Sequence, residues 1–254
     1  MNSNKSIAVE FLGLPGSGKT LLCHRVAILL SDKKARVDEP SQLFCGCTRC
    51  KRVLRKSIKI ARELILHPCY CLRSASAILR VRHKSTSDLF RVLLNWFVVS
   101  SFIRRGKSER GIHLHDQGIL QALWSIAFSS DGTAIHTVAS RLRDLMPTPS
   151  LVVVVEVKLS TAARRLSSRA IPNSRVEGRN LSEQPLLRSA ALFEETRNLL
   201  DTLCTEETGT HSLLLQNDDD NKLEANAAEV ARALEQLAGG TPSAPLPQLI
   251  RQSS

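Results

Sequence analysis

Gly13-Leu14-Pro15-Gly16-Ser17-Gly18-Lys19-Thr20 is the stretch on which the reading of this chain turns. It fits the pattern G-x-x-x-x-G-K-[ST], in which glycines let the backbone bend so that successive N–H groups point at phosphate oxygens. Its flanks matter as much as the motif. Residues 7–12 read as a short buried strand and residues 21–30 show helical apolar spacing, so the turn joins a strand to a helix N-terminus, whose dipole favours an anion. In that setting Lys19 reaches the β- and γ-phosphates as a point charge, and the Thr20 hydroxyl is placed to ligand Mg2+. The expected ligands are ATP and Mg2+, with Gly13, Pro15, Gly16, Ser17, Gly18, Lys19, Thr20 and Leu21 forming the nucleotide contact.

Outward from this turn, strands alternate with helices, the pattern of a parallel α/β sheet. Residues 35–39 suit a second strand, stopped by Pro40, whose ring removes a donor. Residues 111–116 read as a third strand of alternating polarity. Residues 151–157 open with Leu151 and four valines, which suits a central strand buried on both faces. Residues 211–216 suit the last. Helices are expected over 117–129, 133–146, 160–170, 183–203 and 221–237. Residues 45–105 look helical and basic, with breaks at Pro68 and in the serine-rich stretch 85–87. The expected fold is a parallel sheet of about five strands, of P-loop NTPase type, flanked by helices. One domain would span 1–238, with a disordered tail over 239–254, where Pro242, Pro245 and Pro247 fall.

Composition narrows the partners. A hydrophobic fraction of 43% excludes wholesale disorder, and 4% aromatic residues argue against nucleic-acid binding built on stacking platforms. The net charge of +11 is concentrated: residues 49–110 hold 16 Lys/Arg and 3 Asp/Glu, while the rest of the chain balances to −2. The first residues lead into a strand without an apolar leader, and seven unevenly spaced cysteines make no disulfide framework, so a cytoplasmic, reducing location is expected. The most apolar long stretch, 89–103, contains Arg91 and Asn95 and is too short and polar for a membrane span.

Three further features resemble the small-molecule P-loop kinases, within them the thymidylate kinase-like and nucleoside kinase-like group. Asp38-Glu39-Pro40 closes the second strand, similar to the acidic residue and proline there in thymidylate kinases. His115-Asp116-Gln117 ends the third strand much as an Asp-Arg pair does in the family, with Gln117 where Arg is expected. A proline-led strand is followed by a helix carrying Arg164 and Arg165 and by Arg175-Val176-Glu177-Gly178-Arg179, which looks like the lid closing over ATP. The resemblance covers roughly residues 7–204 and implies in-line transfer of the γ-phosphoryl group of ATP. It implies Asp116 as the Mg2+ carboxylate and Glu39 as the base that orients an acceptor hydroxyl, with Asp38 as competitor. It also implies lid residues 160–182, in which Arg165 and Arg175 spread transition-state charge. Gln117 removes the Arg that holds an acceptor phosphate and so counts against a nucleoside monophosphate substrate. Glu156, in the fourth strand, is expected to pair with a neighbouring cation.

Residues 45–110 fall where such kinases place acceptor-binding helices. Their charge fits an anionic small-molecule acceptor drawn in by steering, an amphipathic helix lying peripherally on an anionic membrane, nucleic-acid backbone contact, or a solvated basic face. Cys45, Cys47, Cys50, Cys69 and Cys71 invite a zinc reading, but the second pair is tighter than a usual knuckle, and idle thiols are the ordinary expectation. The function expected is an ATP- and Mg2+-dependent kinase acting on a small molecule. The alternative is an ATP-binding protein or ATPase without kinase turnover, regulatory or assembly-related, on a membrane or nucleic acid.

Overall fold

The structure, a computed structural model, describes residues 5–40, 49–168, 183–204 and 209–239. Strand β1 (Ser6–Gly13) turns into helix α1 (Lys19–Asp32), and β2 (Val37–Asp38) follows. Then come α2 (Arg49–Leu66), α3 (Pro68–Leu79) and α4 (Thr86–Ser108) before β3 (Gly111–His115). Helices α5 (Ile119–Ser129) and α6 (Ile135–Leu142) lead to β4 (Leu151–Glu156) and α7 (Leu159–Ser167). The chain closes with α8 (Glu183–Leu203), β5 (His211–Gln216) and α9 (Leu223–Gly239). The five strands form one sheet in the order β2-β3-β1-β4-β5, every neighbouring pair parallel.

Alternation along β1 divides the core. Ile7, Val9 and Phe11 pack with Leu22, Val26 and Leu30 of α1 and with Val230 and Leu234 of α9. Leu12 belongs to the opposite layer, with Trp96 of α4, Leu123 of α5 and Phe193 of α8. The valines of β4 are buried on both faces, as a central strand requires. Pro68 opens α3 at its first turn, where the missing N–H costs nothing, and Ser85 caps α4 by accepting from the Asp88 N–H at 3.1 Å.

Three elements differ from the sequence expectation. β2 holds two residues rather than five, because the preceding chain is spent closing α1: Lys34 takes a φ of 57° and the Ala35 N–H bonds back to Leu30 O at 3.1 Å. The helix expected over 133–146 begins at Ile135, whose N–H bonds to Glu195 Oε2 at 2.9 Å, and ends in a 3-10 turn over Arg143–Leu145 before Pro147. Helix α9 continues through Gly239, into the start of the expected tail; residues 240–254 lie outside the described part, as does the lid beyond Ser168.

One buried charge shapes the face on which α4 and α5 lie. Glu10, in the middle of β1, is fully buried and its Oε1 accepts from the N–H groups of Leu120 (2.7 Å) and Gln121 (3.2 Å), capping α5 from the sheet. Among the described residues Oε2 has no hydrogen-bond partner, and burial raises the Glu10 pKa to about 7. Gly118 makes this possible, since a Cβ there would sit 2.0 Å from Glu10 Cδ. On the neighbouring strand His115 is also buried, which lowers its pKa to about 4. A carboxyl raised on folding weakens the fold as pH rises from about 4.5 to 7, and a lowered imidazole strengthens it from about 4 to 6.5. Glu10→Gln keeps an acceptor for α5 and removes the first of these, worth about 3 kcal/mol above pH 7. Thermal denaturation should therefore show Glu10→Gln gaining more stability at pH 7.5 than at pH 5; equal shifts at both would place an ordinary carboxylate at this position. Gly118→Ala should lose about 1–3 kcal/mol through overpacking, read as a lower urea midpoint.

Candidate functional site

The site is built where β1 ends and α1 begins. Gly16 and Gly18 take φ values of 87° and 89°, left-handed conformations that glycine adopts without strain. The space around them is closed. A Cβ at Gly13 would meet Val155 O at 2.6 Å, one at Gly16 would meet Ala162 O at 2.7 Å, and one at Gly18 would meet Asn217 Nδ2 at 2.6 Å. Lys19, the first residue of α1, folds back across the turn, its Nζ donating to Gly13 O (2.7 Å) and Leu14 O (2.9 Å). That conformation holds an ammonium group at the mouth of the loop. Ser17 is buried beneath it, Pro15 is half-buried at its tip, and Leu21 stands exposed in the first turn of α1.

Two carboxylates arrive from neighbouring strand ends. The Thr20 hydroxyl donates to Asp116 Oδ2 at 3.2 Å, across the gap between α1 and the end of β3. Burial raises the Asp116 pKa, against the Thr20 hydrogen bond and the Lys19 charge, and the negative charge of Glu39 raises it further. A hydroxyl and a carboxylate short of positive charge are oxygen donors of the kind Mg2+ takes, so the pair fits that ion. Glu39, just past β2, is buried and its Oε2 lies 3.3 Å from Nδ1 of His24 on α1. The thiol of Cys23, in the core beneath, is raised well above its ordinary value, first by burial and then by the charges of Glu39 and Asp116. Lys19, Thr20, Asp116 and Glu39 are thus one electrostatic group. Asp38 turns elsewhere. Its Oδ2 lies 3.5 Å from His113 Nδ1, and that contact holds its pKa below the usual carboxylate range. Gln117 is exposed.

Of the lid arginines, those within the described residues part company. Arg164 is exposed, while Arg165 is half-buried with its Nη1 3.9 Å from where a Cβ on Gly18 would lie, against the phosphate loop. Arg175, Arg169 and Arg179 lie outside the described residues. Glu156 pairs with Arg197 and accepts from Gln216 Nε2 at 2.6 Å, the structural partnership expected of it. Cys45 and Cys47 fall outside the described residues, as does the side chain of Cys50; Cys69 is exposed and Cys71 buried. Among the described residues no three His, Cys, Asp or Glu side chains come together as a metal site.

Asn217 escaped the sequence reading. Immediately after β5 it is buried, donates from Nδ2 to Ser17 O at 2.7 Å, and is fixed by its own N–H on Glu156 O (2.8 Å) and by Asn226 Nδ2 on its Oδ1 (3.3 Å). It braces the phosphate loop from the far edge of the sheet. The available signal was its place: a polar residue at the carboxyl end of a parallel strand, where α/β sheets gather their ligand-binding groups. A cavity of about 450 Å³ opens between α3 and the 3-10 turn, lined by Arg73, Arg80, Arg141 and Asp144 among others, on elements other than those carrying the loop.

No family model and no curated protein matches the sequence. Solved structures do. Deoxyadenosine kinase from M. mycoides, with dCMP and a flexible dCDP bound as products, superposes with a TM-score of 0.53 at 11% identity, over 91% of this chain and 100% of that one. The same enzyme with dCTP bound gives 0.50 at 11% identity over the same shares. At that identity the likeness is one of architecture: this chain has the five-stranded parallel α/β fold of the P-loop nucleoside kinases.

Proposed function

We propose that the protein is an ATP- and Mg2+-dependent phosphotransferase that moves the γ-phosphoryl group to a hydroxyl of a small molecule, a nucleoside being the favoured class. The observation that carries this reading is the convergence of Lys19, the Thr20–Asp116 pair and buried Glu39 around one glycine-lined turn. Phosphoryl transfer asks little covalent chemistry of a protein and much positioning. The loop amides and Lys19 hold the β- and γ-phosphate oxygens, Lys19 exchanging the carbonyls of Gly13 and Leu14 for phosphate. Mg2+, held through Thr20 and Asp116, would supply charge neutralisation on those oxygens. Glu39 stands across from Asp116 as the base that orients the acceptor hydroxyl and receives its proton. Arg165, against the loop, is placed to meet charge on the transferring group, with Arg175 as the second lid cation. The fold shared with deoxyadenosine kinase supports the class. Exposed Gln117 in place of a phosphate-gripping Arg favours a neutral acceptor over a monophosphate.

The test is ATP consumption measured over a panel of nucleosides, nucleoside monophosphates, sugars and lipid head groups. A kinase consumes ATP only with its acceptor. Hydrolysis that ignores every acceptor would instead support the ATPase reading. Lys19→Ala should weaken ATP binding about 10- to 100-fold, the worth of a charged hydrogen-bonding group, by calorimetry; unchanged affinity would remove the phosphate loop from the mechanism. Glu39→Gln should keep ATP affinity while turnover falls about 10²- to 10⁴-fold, the usual contribution of a general base. Asn217→Ala strips the Ser17 carbonyl of its donor and should cost about 1–3 kcal/mol of stability, with a matching loss of ATP affinity that Asn226→Ala reproduces only in part.

A further inference from the structure

Helix α2 rests on the body by its charged edge. At 100° per residue Val53, Leu54, Ile58, Ile60, Leu64 and Ile65 fall within one half of the circumference, and the Lys and Arg within the other, together with the terminal Leu66. A helix so divided normally buries the aliphatic half. Here the contacts with α4 run through Glu63, ion-paired with Arg104, and Lys59, whose ammonium lies 4.0 Å from the centre of the Phe102 ring. Only Ile60, at the border of the two halves, is half-buried. The aliphatic half consequently faces away: Leu54, Ile58 and Ile65 are 61%, 60% and 78% exposed.

We propose that α2 is an interfacial helix that docks this protein on the surface of an anionic phospholipid bilayer, with the aliphatic face in the acyl boundary and the cations at the head groups. The charge complementarity is specific. α2 carries seven Lys/Arg against one acid, Glu63, and that acid is already engaged by Arg104. Lys51, Arg55 and Arg62 are exposed along one edge of the aliphatic strip, with Lys56 at the other, the arrangement in which long cationic side chains reach anionic lipid around an embedded strip. A second copy would bring like charge against like. Nucleic acid rewards the cations and leaves the strip in water. A protein interface of this kind builds its centre on aromatic, Met and Arg anchors, and the strip has no aromatic or Met. Among the described residues no helix is long and apolar enough to cross a membrane, so the association is a peripheral one. It goes beyond the phosphotransferase reading and does not depend on it.

The experiment is co-sedimentation of the full chain with vesicles of phosphatidylcholine containing phosphatidylserine and with vesicles of phosphatidylcholine alone, at low and high salt. Binding to the anionic vesicles, weakened by salt and much reduced on neutral ones, is expected. Ile58→Glu and Ile65→Glu should each weaken it at least about tenfold, the cost of withdrawing one aliphatic side chain from the acyl boundary. Arg55→Gln and Arg62→Gln should each weaken it about fivefold. Both sites of each pair are exposed, so ATP affinity and the melting temperature serve as the check that the variants are folded, and the arginine pair tests the proposal independently of the isoleucine pair. No binding to anionic vesicles at low salt overturns the proposal, as does binding that all four substitutions leave unchanged. Concentration-dependent self-association abolished by Ile58→Glu would give the face to a second copy instead, and vesicle binding lost on removal of residues 240–254 but not on Ile58→Glu would give it to the tail.

Discussion

Backbone crowding at the end of β1 is the constraint from which the rest of the molecule follows. The turn between Gly13 and Lys19 has no room for a side chain at Gly13, Gly16 or Gly18, being walled there by the carbonyl of Val155, the carbonyl of Ala162 and the amide of Asn217. Those three groups come from β4, α7 and the residue after β5. A turn closed in this way requires β4 beside β1, β5 beside β4, and α7 returning over the loop, which is half of the observed sheet order. The glycines are therefore positions at which the fold and the anion-binding shape are the same requirement. Within the turn the Ser17 N–H bonds to Leu14 O at 3.0 Å, so the loop's shape is fixed by its own backbone as well as by these walls.

The other half of the sheet is arranged by polar groups that water cannot reach. Glu10 reaches across the interior to cap α5, and His113 and His115 of β3 lie against Gly106 of α4, where a Cβ would meet His113 Cβ at 3.0 Å. Together these contacts set how closely α4 and α5 approach the strands. β3 ends on His115, and Asp116 is the residue that follows it. The carboxylate that meets Thr20 thus follows a strand set in a buried polar layer, and Asp38 lies against that layer through His113, while Glu39 meets His24 of α1. Two adjacent acids at one strand end acquire different roles because the period-two alternation of a strand sends them to different surroundings.

The same distinction explains what was legible in the sequence. The glycine turn between a strand and a helix, the buried β4 run, and the Pro68 and Ser85 boundaries are local statements, each carried by a few neighbouring residues, and the structure has all of them, with Asp116 one residue past the end of β3. Glu10 and Gly118 form a pair 108 residues apart of which a single sequence holds no local trace, and the bond from Asn217 to Ser17 spans 200 residues, its one local trace being its place after a strand. Glu10 in particular breaks the apolar pattern of β1 with nothing nearby to say that an uncapped helix awaits it. The choice between Asp38 and Glu39 belongs to the same class, since it turns on His113, a residue on another strand. The short β2 was hidden for a simpler reason: the turn at Lys34 consumes residues whose composition suits a strand equally well.

Charge is where sequence and structure inform each other most. The excess of residues 49–110 looked like a single property, and the structure divides it. Arg104 is half-buried against Glu63 and stacked 3.8 Å from the centre of the Tyr70 ring, Arg105 pairs with Glu109 at the end of its own helix, and Lys107 donates to Thr148. Arg104 joins α4 to α2 and α3, while Arg105 and Lys107 make their contacts at the end of α4. On α2, Lys51, Arg55, Lys56 and Arg62 are exposed, on a helix whose aliphatic half faces outward and whose Glu63 is ion-paired with Arg104. Glu63 is buried and Arg104 half-buried, so desolvation offsets much of the attraction between them, and such a pair is weak evidence of added stability. With Glu63 held inward, the only surface left to Leu54, Ile58 and Ile65 is the one facing away from the nucleotide fold, so that whatever α2 meets can be met without disturbing the phosphate loop.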